Sequence, residues 1–428
     1  MNVFIVGGGA REHTMAWKIA QSTKVKNIYV APGNAGTALI AENVPVSADD
    51  VDGLLEAILA KNADLVVVGP EGPLSKGLVD LLTAAGLAVF GPTEAAAQIE
   101  ASKAFSKGFM ARHNIPAASS RTFYDYDEAL DYICSSTLPL VIKADGLSQG
   151  KGVVIGTTKD EAIKALESIM RDKVFGAAGD SVIIEEFLEG REVSVFTFTD
   201  SLFTSPLVAA CDYKRIYEGN NGPNTGGMGS YSPPEFYTSM LEEQVSRIIM
   251  QPVIENMERE NRPYKGILYG GLMLTEEGPK VLEFNARFGD PETQVILPRL
   301  KTDLVDIMLA INDERLEKVK IKWSSKSCVG VVMASGGYPG KYQTGYPITG
   351  LDDMDSDIMV FHAGTSLNEQ GQVVTSGGRV LSVVATANSI EEARTKVYDN
   401  IRRINFKDCY YRKDIALFKE NSRDGLNE

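Results

Sequence analysis

Between Met1 and Thr93 the chain alternates short apolar runs with amphipathic stretches. "NVFIVGGG", "NIYVAPG", "ADLVVVGPEG" and "LAVFGPT" each end in glycine or proline, and segments such as "VDGLLEAILAK" separate them. That alternation predicts strands and crossover helices, hence an open parallel sheet whose ligand loops gather at the strands' carboxyl ends. The pattern changes near Pro92. "SKAFSKGFMARHNIP" predicts a helix with Phe105, Phe109 and His113 at i, i+4 and i+8, stopped by Ile115-Pro116.

From about Thr122 to Phe198 the pattern is that of a small α/β unit: strand "LPLVIKAD", a glycine-rich loop, strand "GVVIGT", helix "DEAIKALESIM" and strand "SVIIEEFLEG". An antiparallel region follows, with "REVSVFTFTD", "SLFTSPLVAA" and "YGGLMLTEEGPKVLEFNARF". The last segment, from about Lys326, holds the strands "SCVGVVMASGGYPG" and "GGRVLSVVATANS" and the helix "SIEEARTKVYDNIRRI". Ser389 and Glu392 are spaced as a capping box, and Ile390, Ala393, Val397, Ile401 and Ile404 fall on the inward face. No internal repeat is visible, and only the tail "KENSRDGLNE" reads as frayed. The expected division is 1–101, 102–325 with a smaller unit at about 122–190, and 326–428. The fold class is α/β and α+β multidomain, with an N-terminal open parallel α/β sheet and a C-terminal mixed β domain that also carries a helix.

The stretch "KVLEFNARFGDPETQ" breaks the ordinary strand rule. Alternation places Leu282, Phe284, Ala286 and Phe288 on one face and Val281, Glu283, Asn285 and Arg287 on the other. Charges on a covered face are costly without partners. Glu283 and Asn285 offer two hard oxygen donors at i and i+2, which suits magnesium, and Arg287 suits an oxygen of a phosphate or carboxylate. The alternative is a polar strand face turned to solvent. Asp290-Pro291 reads as an N-cap followed by the first helical residue.

Composition narrows the classes. The chain has 428 residues, 44% hydrophobic and 23% charged, with a formal net charge of −14. Such a balance suits a globular protein and disfavours non-specific nucleic-acid binding, so anionic ligands would need local clusters of cations. No apolar run approaches the roughly 20 residues of a membrane span, and "MNVFIVGGGAREH" does not read as a signal peptide. Cys134, Cys211, Cys328 and Cys409 are scattered without metal-ligand spacing, consistent with a reducing cytoplasm.

Several motifs carry candidate chemistry. "VGGGAREH" has contiguous glycines and no closing acid after the second strand, so it fails as a dinucleotide fingerprint; a tight turn admitting another ligand is the better reading. In "VIKADGLSQGKGVVI", Lys143 is either a snorkelling lysine on an edge strand or a phosphate contact. Gly146, Gly150 and Gly152 with Lys151 could form a flap over a polyphosphate, although "GxxxxGK[ST]" is absent. Glu185 and Glu186 either meet an adenine amino group or ribose hydroxyls, or belong to a solvated turn. "CDYKRIYEGNNGPNTGGMGSYSPP" is either a floppy loop or a functional one carrying Asp212, Lys214 and Arg215. His13, His113 and His362 form no hydrolytic set with a serine and an acid.

Taken in order, these segments resemble the ATP-grasp ligases and, within them, the glycinamide ribonucleotide synthetase family. "GGGAREH", "PGNAGT", "GPEGPL", "SKAFSK", "KADGLSQGKGV", "EEFLEGREVS", "GPNTGGMG", "LEFNARFGDPETQ" and "TSGGRVL" carry the likeness over nearly the whole chain. The resemblance implies an ATP-grasp core with a small mobile lid subdomain over 102–325 and a substrate-binding N-terminal domain. It also implies a reaction: MgATP, glycine and 5-phosphoribosylamine give glycinamide ribonucleotide, ADP and phosphate through a glycyl phosphate. By motif, Lys103 and Lys143 would touch ATP phosphates under the flap of Gly150, Lys151 and Gly152. Glu185, Glu186 and Leu188 would line the adenine hinge, with Glu192 near the ribose. Glu283 and Asn285 would hold magnesium, with manganese as the alternative ion. Arg287, Lys214 and Asp212 would be catalytic; Gly9, Asn34, Ala35, Gly36, Pro70, Glu71, Gly72 and Asp290 would receive glycine and the ribosyl phosphate. The partners implied are these small molecules, with no nucleic acid or membrane, for a cytoplasmic monomer. Two departures stand out. Tyr213 replaces the family's usual histidine, and Gly270-Gly271 occupy the strand on which many grasp enzymes carry a metal-binding carboxylate.

Overall fold

The computed structural model describes residues 1–146 and 152–418. The tail from Lys419, and Gly150 and Lys151 of the expected flap, lie outside the described residues. The first five strands, β1 (Asn2–Gly7), β2 (Asn27–Pro32), β3 (Glu42–Asn43), β4 (Leu65–Val68) and β5 (Ala88–Phe90), form one parallel sheet in the order β3-β2-β1-β4-β5. The near-continuous apolar runs follow from burial on both faces. Phe4, Val6, Val66 and Val68 enter one core, while Val3, Ile5, Leu65 and Val67 enter the other. β3 was absent from the sequence reading because two residues are too short to carry a period.

A second sheet contains β6 (Ser120–Phe123), β7 (Leu140–Ala144), β8 (Val153–Gly156) and β9 (Val182–Glu186), antiparallel in the order β6-β9-β7-β8. Helices Tyr126–Ser135 and Lys159–Leu166 start at the side-chain caps Asp125 and Thr158. They pack on the sheet around Ala129, Ile133, Ile142, Ala162, Leu166, Val182 and Ile184, a core of the unit's own. β7 lies inside this sheet, so the edge-strand reading of Lys143 does not hold.

The remaining strands are β10 (Arg191–Asp200), β11 (Val208–Asp212), β12 (Arg215–Tyr217), β13 (Asn221–Asn224), β14 (Gly229–Ser232), β15 (Lys265–Thr275), β16 (Gly278–Asn285), β17 (Ser327–Ala334), β18 (Ile358–His362), β19 (Thr365–Leu367), β20 (Val373–Thr375) and β21 (Arg379–Ala387). Eight of them form one antiparallel sheet, β16-β15-β10-β11-β14-β17-β21-β18. The pairing of β14 with β17 carries it unbroken from the central region into the C-terminal segment. Its C-terminal strands pack against helix Ile390–Ile401 through Ile390, Ala393, Val397 and Ile401, the face that the pattern predicts. Ser389 caps this helix, but the Glu392 carboxylate takes the N–H of Asn388 and not that of Ser389, so the box is only half formed.

Two local expectations fail. The β15–β16 register shifts between Gly271 and Leu272, opposite Glu283 and Val281. This irregularity breaks the strict alternation. Val281 joins Phe284 and Ala286 in the core, while Leu282 turns to the cleft beside Glu283. The helix after Asp290-Pro291 begins only at Thr293, with Glu292 at its N-cap position, so Asp290 does not cap it.

The N-terminal loops are locked to the C-terminal strands by two buried histidines. The His362 N–H donates to His13 Nδ1 at 2.9 Å, and the His362 ring lies 3.1 Å from Thr365 Oγ1. Burial, reinforced by His362, lowers the His13 pKa to about 3, and burial lowers that of His362 to about 4. Both values are depressed, so the unfolded chain takes up protons first as pH falls through about 6.5, and stability is lost with acid. Lowering the pH from 7 to 5 is therefore expected to cost about 2 kcal/mol per histidine, read as a fall in the urea midpoint. His362→Gln should flatten that dependence; an unchanged slope would remove His362 from it.

Candidate active site

The second sheet, the long antiparallel sheet and the loops at the carboxyl ends of β1 and β4 enclose one cleft of about 1800 Å³. Lys143 enters it from β7 and Glu185 from β9, and both are buried. Lys143 Nζ lies 2.9 Å from Glu185 Oε2, and Lys107 Nζ meets the same oxygen at 3.0 Å while also donating to the Leu282 carbonyl at 3.3 Å. Glu185 Oε1 is buried without a hydrogen-bond partner. Burial and the neighbouring Lys143 lower the Lys107 pKa to about 8. Lys107 was missed in the sequence, yet it follows Lys103 by one helical turn in "SKAFSK", and that spacing was the available signal.

Lys103 donates to the Gly146 carbonyl at 2.7 Å; burial lowers its pKa, and Glu283 opposes the shift. Leu188 is buried on the cleft wall, and Glu186 is exposed, accepting the Ser119 N–H at 2.9 Å. Gly152 closes the described side of the flap, its carbonyl accepting from the Ala144 N–H at 2.9 Å.

At the far end of β16, Glu283 remains a carboxylate. Burial pushes its pKa up, but Lys214, Lys143, Lys103 and Arg287 outweigh burial and hold it below the ordinary value. Asn285 Oδ1 accepts from Arg287 Nη2 at 3.1 Å and keeps a second lone pair. Arg287 does not await an outside partner alone. It also meets Glu71 Oε2 at 3.2 Å, Glu100 Oε1 at 2.8 Å and the Phe288 carbonyl at 3.2 Å. Glu100, unread in the sequence, additionally accepts the Ala286 N–H at 2.7 Å. Burial raises its pKa to about 7 against the pull of Arg287; for Glu71 burial is outweighed by Arg287 and Arg11, giving about 2.

No cluster of three or more His, Cys, Asp or Glu able to hold a metal occurs among the described residues. One carboxylate and one amide oxygen nevertheless fit magnesium, which keeps several waters and takes further oxygens from substrate phosphates.

Beyond Glu283, Lys214 stands among acids. Its Nζ lies 3.4 Å from Glu192 Oε2, and Glu192 foremost, with Glu283, Asp212 and Glu292, raises its pKa against burial. Burial, then Glu292, raises the Asp212 pKa well above its ordinary value, and Asp212 Oδ1 has no hydrogen-bond partner. Glu292 is fixed by Tyr269 OH at 2.7 Å and Ser194 Oγ at 3.0 Å. The glycines of "GGMG" have a steric reason here: Gly227 has φ +108°, and a Cβ there would sit 2.7 Å from Asp212 Oδ1. Tyr213 points away from these acids, its hydroxyl accepting the Ala416 N–H at 3.0 Å. Asp290 takes Gln294 Nε2 at 2.8 Å and Arg379 Nη1 at 3.2 Å; burial raises its pKa, but Arg379 and Arg11 bring it below normal.

The N-terminal loops divide. Glu71 lines the cleft, whereas Gly9, Asn34, Ala35, Gly36, Pro70 and Gly72 do not. Asn34 is buried and internally occupied: its amide donates to the carbonyls of Gly8 at 3.0 Å and His362 at 2.8 Å, and its oxygen accepts the N–H groups of Gly36 and Thr37. The Ala35 N–H donates to the Thr365 carbonyl, and a Cβ on Gly36 would strike the His13 ring at 2.4 Å. Gly9 gives its N–H to Glu12 Oε2 at 2.7 Å, and Pro70 and Gly72 are half-buried beside Glu71. As placed here, Asn34, Ala35 and Gly36 join the loop to the C-terminal strands.

A lid sheet with a separate core, set across one end of a long antiparallel sheet, is the architecture of the ATP-grasp enzymes, a class that uses ATP with a divalent metal ion. Residues 1–100 match the N domain of phosphoribosylglycinamide synthetase, residues 101–293 its ATP-grasp (A) domain and residues 328–418 its C domain. The chain is 48% identical to a phosphoribosylamine–glycine ligase of Caldanaerobacter subterraneus, covering 97% of this chain and 99% of that protein. It is 47% identical to one of Halalkalibacterium halodurans, over 97% and 96%. The crystal structure of a phosphoribosylamine–glycine ligase from Thermotoga maritima superposes with a TM-score of 0.86 at 32% identity, over 97% of this chain and 100% of that one. This chain belongs to the phosphoribosylglycinamide synthetase family.

Removing the Lys143 ammonium tests the nucleotide end of the cleft. Lys143→Met is expected to weaken binding of a non-hydrolysable ATP analogue by about 1.5–3 kcal/mol, the range for a hydrogen bond to a charged group. Unaltered affinity in calorimetry would take Lys143 out of the site.

Proposed function

We infer that this protein joins glycine to 5-phosphoribosylamine at the expense of ATP, giving glycinamide ribonucleotide, ADP and phosphate in purine biosynthesis. The observation that carries this reading is the match of all three family domains, in order, along the chain. The cleft suits the chemistry. A carboxylate does not react with an amine directly, so the glycine carboxylate first accepts the γ-phosphoryl group of ATP. The phosphoribosylamine nitrogen then attacks the acyl carbon of glycyl phosphate, and phosphate leaves.

In this reading Lys103 and Lys143 bind ATP phosphates, Glu185, Glu186 and Leu188 line the base pocket, and Glu192 lies near the ribose. Glu283 and Asn285 hold the metal ion, magnesium or manganese, which when bound neutralises charge on the transferred phosphoryl group. Lys214 and Arg287 stabilise the anionic oxygens of the reacting groups. Asp212 and Asp290, with Glu71, sit where the small substrates meet. Gly9, Asn34, Ala35, Gly36, Pro70 and Gly72 contribute by shaping the loops behind that corner. The N-terminal, ATP-grasp and C-terminal domains are taken as 1–101, 102–325 and 326–428, with a lid at about 122–190. The lid's work, to which Gly150, Lys151 and Gly152 are assigned by motif, is to keep water from the acyl phosphate. No helix among the described residues is long and apolar enough to cross a membrane. The enzyme is read as a cytoplasmic monomer.

Incubation with MgATP, glycine and phosphoribosylamine generated from ribose 5-phosphate and ammonia is expected to release ADP only when both substrates are present. ADP release indifferent to omission of either one would refute the ligase reading. Glu283→Ala is expected to abolish turnover while the circular dichroism spectrum and melting temperature stay near those of the parent. An unfolded variant would assign Glu283 to structure instead.

A further inference from the structure

The largest fully buried side chain among the described residues is a charge. Arg412, with 0% exposure, lies in the terminal segment, and every guanidinium N–H has an acceptor. Nε and Nη2 bond the two Asp414 oxygens at 2.8 and 2.7 Å; Nη1 bonds the Arg215 carbonyl at 2.9 Å, and Nη1 and Nη2 share Asn220 Oδ1 at 3.1 Å. Its guanidinium also stands 4.9 Å from the centre of the Tyr213 ring. Such complete saturation is what an arginine needs to be stable away from water.

The partners define a purpose. Arg215 and Asn220 bracket the turn leading into the cleft-lining loop Asn224–Gly226, and Tyr213 and Arg215 flank Lys214. The terminal segment grips the same loop elsewhere. Asp414 Oδ2 accepts the Gly219 N–H at 2.8 Å, Glu218 Oε1 accepts the Lys413 N–H at 3.2 Å, and Tyr213 OH accepts the Ala416 N–H at 3.0 Å. Behind it, Arg394 donates to the Lys413 and Ile415 carbonyls at 2.6 and 3.0 Å, and Tyr398 OH donates to the Arg412 carbonyl at 2.7 Å. The segment is thus riveted to the C-terminal helix on one side and to the Lys214 loop on the other.

We propose that residues 410–416 are a strap that fixes the Asp212–Lys214 corner of the cleft, with Arg412 and Tyr213 as positioning residues for Lys214. The phenol at 213 has the reach and the acceptor oxygen to take the Ala416 N–H, and its ring gives Arg412 a face to lie against. The strap touches neither Lys143 nor Glu185 and reaches the nucleotide end only through the Lys214–Glu192 pair, so its effect should fall more heavily on the small substrates than on ATP. That division of effects rests on the ligase reading; the strap itself does not.

Two variants and two readouts test it. Arg412→Ala is expected to raise hydrogen exchange at amides 213–225 and to raise KM for glycine or the amine about tenfold or more, the scale of losing a charge-assisted hydrogen bond. Affinity for a non-hydrolysable ATP analogue should fall clearly less than KM rises, whereas general loosening of the fold would lower both alike. Tyr213→Phe keeps the ring and deletes one acceptor, so it serves if Arg412→Ala does not fold; about a two- to tenfold change is expected in the same two quantities. Unchanged exchange at 213–225 in the folded variants, or an equal loss of analogue binding, would overturn the strap. Absence of glycine-dependent ADP release in the parent enzyme would overturn the ligase reading, leaving exchange to judge the strap.

Discussion

One guanidinium ties the site together. Arg287 leaves the end of β16 and meets Glu71 from the loop after β4 and Glu100 from the helix before Lys103, while holding Asn285 beside it. Three segments far apart in sequence are therefore fixed beside Glu283 and Asn285. The constraint is stiff because it is buried: removing one partner of such a group leaves an uncompensated charge, at a cost of about 3–5 kcal/mol. The two acids divide the cation unequally. Arg11 helps Arg287 to hold Glu71 ionised at about 2, whereas Glu100, more deeply buried and beside Glu71, rises to about 7.

The same logic runs through the cleft. A chain with a formal charge of −14 gathers Lys103, Lys107, Lys143, Lys214 and Arg287 around one cavity. Most of these cations already have a carboxylate: Glu185 for Lys107 and Lys143, Glu192 for Lys214, Glu71 and Glu100 for Arg287. The acids hold these cations in place around the cavity. Lys107 and Lys143 share one oxygen of Glu185, so either lysine can turn to a ligand while the other keeps that carboxylate paired.

Much of the fold was legible because its signals are local. The parallel sheet announced itself through apolar runs ending in glycine or proline, and the last helix through its cap and its inward face. What failed was tertiary. The β15–β16 irregularity exchanges Val281 and Leu282 between core and cleft, and no residue type in "KVLEFNARF" marks it. Motifs were enough to pick out residues that the fold brings to one cleft, as at Lys143, Glu283 and Arg287. The site was illegible where partners come from elsewhere. Glu100 and Arg412 look like ordinary surface charges in the sequence, and only the fold shows what each one meets. Asn34, assigned to substrate only by the resemblance, has partners that the sequence does not reveal: its amide bonds Gly8, Gly36, Thr37 and His362.

The cleft's ionisation states limit what chemistry its side chains can perform. Cys211 lines the cavity, but burial lifts its thiol to about 12, so no thiolate exists at neutral pH to act as nucleophile. His13 and His362 are neutral, buried and engaged with each other outside it. The charged side chains that line the cleft among the described residues, Lys103, Lys107, Lys143, Lys214, Arg287 and Glu283 among them, can orient and stabilise charge without forming a bond to the substrate. Such a cleft suits the proposed route, in which acyl activation is supplied by the phosphoryl donor and enclosure favours the amine over water. The four-stranded sheet that forms one wall of the cleft has a hydrophobic core of its own, and it is tied to the rest of the site by Lys107 on Glu185 and Lys103 on the Gly146 carbonyl.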